Sequence, residues 1–183
     1  HVAWAESNAI AFANSVLGAR THRYGDFVDI ACAVTGRAPA AGLHLDANRM
    51  ASVVYRLDGA SSDLLDRDVL YPVLGGLVGR SVGKEIPVVD GLPPEVSEDR
   101  LKALGAAAAA TGSVGLFHVV GSTPEAPDLA TALGGREPDR VVDVTPTDLR
   151  AARDLLTTAV GDRLDVVSLG TPHYSVAELG RLT

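Results

Sequence analysis

The stretch IPVVDGLPPEVSEDRLKALGAAAAATGSVGLFHVV, residues 86–120, decides the fold class. A short apolar run, residues 86–89, precedes Ser97, whose hydroxyl suits a helix cap, and Glu98 and Asp99, whose charges favour a first helical turn. The helix they open runs through Ala110, and a second apolar run occupies residues 114–120. Continuous apolar runs read as strands buried on both faces, and two such strands separated by a helix make the βαβ unit of a parallel sheet.

The alternation continues in both directions. Downstream the pattern predicts a short helix near residues 129–133, a strand at 141–144, a helix capped by Thr147 or by Thr145 and running to 160, and a last buried strand at 164–169. Beyond it, Val176, Leu179 and Leu182 fall at helical spacing. Upstream, residues 52–57 are rich in β-branched and aromatic side chains and read as a strand. Ser61 and Ser62 cap the helix that follows, and Pro72 with the pair Gly75-Gly76 is expected to break or kink it. Leu43-His44-Leu45 alternates as a strand does. Residues 4–17, dense in alanine, predict a buried helix ended by Gly18, and Asp26 can cap another through Thr35. The fold class is α/β, a mostly parallel sheet with helices on both faces, in a single domain over residues 1–183.

The chain has 183 residues, 46% hydrophobic and 21% charged, a globular composition. A formal charge of −7 argues against nucleic acid as a partner, because phosphate-binding surfaces concentrate basic side chains. No apolar run approaches the roughly 20 residues that span a bilayer, so no membrane partner is expected. Cys32 is the only cysteine, which fits a reducing cytoplasm. The chain opens on His1 without an initiator methionine, and both ends read as cut; it is expected to be an excised part of a longer protein.

Three polar clusters stand out. Gly121-Ser122-Thr123-Pro124-Glu125 follows one predicted strand, and Gly170-Thr171-Pro172-His173-Tyr174-Ser175 follows another. Strand exits of this kind are where open parallel sheets collect ligands, with glycine admitting backbone amides and hydroxyls meeting carboxylate or phosphate oxygens. Ordinary turn and cap chemistry accounts for the same residues. The third cluster, residues 6–26, sets Glu6, Ser7, Asn8 and Asn14 on an apolar helix and places Arg20, Thr21 and Arg23 just beyond it. Guanidinium groups suit a two-pronged grip on an oxyanion. First-turn placement and surface solvation are the plain alternatives. There is no GxxxxGK[ST], no GxGxxG after a strand and no GxSxG, so nucleotide binding and serine hydrolysis have no positive support. The histidines show no metal-ligand spacing.

The segments WAESNAIAFANSVLGARTHRYGDF, TGRAPAAGLHLDANR, LKALGAAAAATGSVGLFHVVGSTPEA and SLGTPHYSVAEL, in that order, closely resemble the catalytic region of the aconitase X family. The resemblance implies an aconitase-like fold and a hydro-lyase, a dehydratase carrying an iron–sulfur cluster. One branch acts on cis-3-hydroxy-L-proline and another on mevalonate 5-phosphate; the RYGDF wording after His22 resembles the first. It further implies that the cluster's cysteines lie outside this chain, leaving no metal ligand within it, and that a small swivelling domain or subunit completes the enzyme. This segment alone is then expected to be inactive. The substrate would be a small hydroxy acid, anchored by Ser7, Asn8, Arg20, Thr21 and Arg23, with Thr123, His173 and Ser175 lining the site; the catalytic base is not identified. A non-catalytic small-acid binding module is the alternative of another class.

Overall fold

The computed structural model describes residues 1–3, 7–169 and 173–182, without the side chains of Ser7 and Asp26. Four strands, β1 (Val53–Arg56), β2 (Pro87–Asp90), β3 (His118–Val119) and β4 (Arg140–Asp143), form a sheet of order β3-β2-β1-β4 in which each pair is parallel. The helices are α1 (Ser7–Ser15), α2 (Asp26–Thr35), α3 (Ser62–Leu65), α4 (Leu70–Val82), α5 (Glu98–Thr111), α6 (Leu129–Ala132), α7 (Pro146–Asp154) and α8 (Val176–Gly180).

Alternation along β1 shows why both faces are covered. Val53 and Tyr55 enter a large core with Leu74, Val78, Leu104 and Ala108 of α4 and α5. Val54, pointing the other way, joins Val88, Ala132 and Leu133 on the face that α6 covers. Helix α4 packs on α5, α1 on α5 and α7 on α4. Ala11 of α1 belongs to the same core, so the N-terminal segment is packed into the sheet domain.

Ser97 caps α5, Thr145 caps α7 in a reciprocal pair with Asp148, and Asp128 caps α6, each through a side-chain oxygen that accepts a backbone N–H. Gly36, with φ of 64°, closes α2 in the left-handed conformation.

Several expectations need correction. Pro72 does not break α4, because it lies in the first turn, where its missing N–H has no intrahelical acceptor. Gly75 does not break it either; it lets α4 approach α5. Leu43-His44-Leu45 is no strand: residues Gly42–His44 and Asp46–Asn48 form two short 3-10 turns. The strand expected over 114–120 narrows to His118–Val119, since the N–H of Phe117 is taken by Ser15 Oγ at 2.9 Å rather than by a neighbouring strand. Helix α7 stops at Asp154. Residues 164–169 form no strand, and Leu164, Val166 and Val167 are exposed; among the described residues no adjacent strand completes a ladder there. Among the described residues, no helix is long and apolar enough to cross a membrane.

Candidate functional site

The most connected polar centre lies where the segment before β1 meets α1 and the loop after β3. Arg49, only 2% exposed, donates from Nε to both oxygens of Glu125 at 3.0 and 2.9 Å. Its Nη1 donates to Asn14 Oδ1 at 3.1 Å and to the Leu43 carbonyl at 2.9 Å, and Nη2 to the Asn14 carbonyl at 3.1 Å. Burial lowers the Arg49 pKa and Glu125 opposes that shift. The buried Asn14 amide donates to the carbonyls of Thr21 at 3.1 Å and Gly115 at 2.8 Å, and accepts from Thr21 N at 3.0 Å. One guanidinium and one amide thus tie four segments together.

Arg20 joins from the surface side, with Nη2 2.8 Å from Asp46 and Nη1 2.6 Å from Glu125. Arg20, Arg49, Glu125 and His118 line a small hollow of about 230 Å³ with Met50 and Thr131. His118, 1% exposed, is bonded through Nε2 to the Arg49 carbonyl at 2.8 Å, while Nδ1 is buried with no hydrogen-bond partner.

Burial lowers the His118 pKa, the backbone bond to Arg49 opposing it. In the unfolded chain the ring titrates near about 6.5. Below that pH the unfolded state binds a proton that the native state refuses, so the contribution to stability is full above it and lost on acidification. The fall in melting temperature between pH 7 and pH 5 is expected to be smaller in His118→Gln, which cannot titrate; an unchanged pH profile would remove His118 from the account.

The residues expected to bind substrate separate into different surroundings. Arg20 is committed to the two carboxylates. Thr21 is fully buried, its backbone clasped by Asn14. Thr123 is buried too, its Oγ1 accepting from Val119 N at 3.0 Å and donating to the Val119 carbonyl at 3.2 Å, which fixes the turn at Gly121. Ser175 caps α8 and donates to Asp99 Oδ2 at 2.7 Å. The exposed His173 offers its carbonyl to Lys102 at 2.7 Å, and Lys102 is also paired with Asp99 and Glu178. Asn8 sits in the first turn of α1 and accepts from Ala9 N at 2.9 Å. Arg23 keeps a buried Nη1 without a partner. The fold therefore brings the first cluster against Glu125 of the second, and docks residues 173–175 on the N-terminal half of α5. Glu6 and residues 170–172 lie outside the described residues, as does the Ser7 side chain.

Arg49 was not singled out by pattern, although a charged residue four positions before a buried strand is a local conflict of the kind that marks such centres. An iron–sulfur cluster requires several thiolates or equivalent ligands. The sequence has only Cys32, half-buried on α2, and among the described residues no three His, Cys, Asp or Glu side chains are grouped to hold a metal ion. These residues do not fit a cluster by themselves.

The sheet order and two-sided helix cover define a doubly wound parallel α/β protein. Residues 1–47 match the Aconitase X first domain and residues 51–154 the Aconitase X second domain. The chain belongs to the aconitase X family. It is 51% identical over 182 residues to cis-3-hydroxy-L-proline dehydratase of Pseudomonas aeruginosa, covering 99% of this chain and 31% of that one. The Hypocrea jecorina enzyme of the same name is 49% identical, with 99% and 30% covered. The phosphomevalonate dehydratase large subunit of Thermococcus kodakarensis is 41% identical, with 98% and 44% covered. The crystal structure of Thermococcus kodakaraensis aconitase X in its holo form superimposes with a TM-score of 0.73 at 41% identity, over 87% of this chain and 39% of that one. The chain thus spans less than half the length of these relatives.

Proposed function

We propose that this chain is part of a hydro-lyase that removes water from a small hydroxy acid, with cis-3-hydroxy-L-proline as the substrate. The observation that carries this reading is the 51% and 49% identity, over 99% of the chain, to two relatives named for that reaction, against 41% for the phosphomevalonate relative. The iron–sulfur cluster and a small swivelling domain or subunit belong to the proposal and come from sequence beyond these residues. The network of Arg49, Asn14 and Glu125 acts as framework, holding the loops after α1 and β3 in a fixed relation. Substrate contact is proposed for the half-buried Asn8 and the exposed His173, while Arg20, Thr21, Thr123 and Ser175 support the surrounding segments.

The test is kcat/KM of the full-length enzyme, assayed without oxygen, on cis-3-hydroxy-L-proline and on mevalonate 5-phosphate. Turnover of the amino acid alone is expected. Preference for the phosphate ester would transfer the chain to the other branch, and saturable binding of the amino acid without turnover would favour a binding module.

A further inference from the structure

Arg23 differs from its neighbours. Arg20 and Arg49 spend their guanidinium groups on Asp46 and Glu125, whereas Nη1 of Arg23 is buried without a hydrogen-bond partner. A desolvated charged donor left unmade carries its full desolvation penalty, so an unmade bond of this kind calls for a missing acceptor. The Arg23 side chain, half-buried as a whole, lines a hollow of about 260 Å³ together with His22, Asn48, Lys84, Glu85 and Ser113.

The walls are built to hold it there. The Arg23 stem lies over Gly115, where a Cβ would stand 3.4 Å from its Cγ and Cδ. The His22 ring lies over Gly42, where a Cβ would come within 2.9 Å of it, and φ at Gly42 is +54°. Nδ1 of His22 accepts from the Leu43 N–H at 3.4 Å, which fixes the ring. Lys84 is exposed, and among the described residues no carboxylate pairs with it or with Arg23. Glu85 is the acidic group of the hollow, and Arg140 neutralises it at 3.0 Å. The hollow adjoins residues 84–86 and 113–116, which lead into β2 and β3, so it lies at the opposite end of the sheet from the loop at 121–125.

We infer that this hollow binds a small oxyanion, a carboxylate or phosphate group, gripped by Arg23 and Lys84. Two cations in one hollow with no carboxylate partner among the described residues suit an acceptor with several lone pairs, and an oxyanion supplies it. The site goes beyond the dehydratase reading and does not depend on it.

The experiment is calorimetric titration of the full-length protein with inorganic phosphate and, separately, with acetate. Saturable binding of at least one is expected, weakened about tenfold in Arg23→Gln and about threefold in Lys84→Gln, the smaller effect reflecting the exposure of Lys84. Tighter phosphate than acetate marks a phosphate site, and the reverse a carboxylate site. Since Lys84 is on the surface, its variant remains informative if Arg23→Gln fails to fold. Absence of saturable heat with both anions, or binding unchanged in Lys84→Gln, would overturn the inference. No binding combined with a lowered melting temperature in Arg23→Gln would give the hollow to a side chain from the remaining polypeptide, which also overturns it.

Discussion

Replacing Arg49 with methionine is expected to destabilise the fold by about 3–5 kcal/mol, the range for breaking a buried ion pair from one side. The stem would still pack, so the loss isolates the polar contacts. Glu125 would keep only Arg20, and Asn14 would lose a donor to Oδ1 and another to its carbonyl. The Asn14 groups cannot turn to water, because Asn14 is 1% exposed. Chemical denaturation of Arg49→Met and Arg49→Lys against the parent measures it. Lysine should recover only part of the loss, since one ammonium cannot reach the Glu125, Asn14 and Leu43 acceptors with the geometry of a planar fork. Stability within about 1 kcal/mol of the parent in both variants would show that the network is not what holds the α1 segment to the sheet.

Gly75→Ala is the second large effect, expected to cost about 1–3 kcal/mol or more through overpacking. A Cβ at Gly75 would stand 2.2 Å from the Leu104 carbonyl oxygen and 2.9 Å from its carbon, both backbone atoms of α5 that no rotamer change can move aside. Gly79 repeats the arrangement one turn on, with Ala108 O at 2.6 Å. Alanine is otherwise the better helix former, so helix propensity alone predicts stabilisation of up to about 1 kcal/mol; the sign of the change separates the two causes. Gly83, whose Cβ would meet nothing within 4 Å but whose φ is +70°, is a comparison site where strain acts without contact.

How much of this was legible depends on where each signal resides. The parallel sheet could be read because β1, β2 and the helix between Ser97 and Thr111 obey local rules, apolar continuity and capping, that hold regardless of what packs around them. The pair Gly75-Gly76, expected to break or kink the helix, shows the opposite at Gly75: glycine in a helix reads as a breaker in isolation and as an approach surface only once α5 is present. Residues 164–169 show the converse, since an apolar run becomes a strand only if a partner ladder is available. Within the site, Arg20 and Arg23 look equivalent in sequence, both basic residues after a helix. Their difference comes from Asp46 and Glu125, which lie 26 and 105 positions from Arg20 and which only the fold brings to it. Arg49 escaped notice for the same reason, as its partners are scattered over residues 14, 43 and 125. Family membership was legible because it rests on the order of four long segments.

The dehydratase reading is tested most directly by following the product when full-length, iron-loaded enzyme meets cis-3-hydroxy-L-proline under anaerobic conditions. Loss of one water per molecule of substrate is expected, with the unsaturated cyclic acid accumulating in proportion to enzyme. A folded, iron-loaded protein that leaves the hydroxy acid unchanged would contradict it.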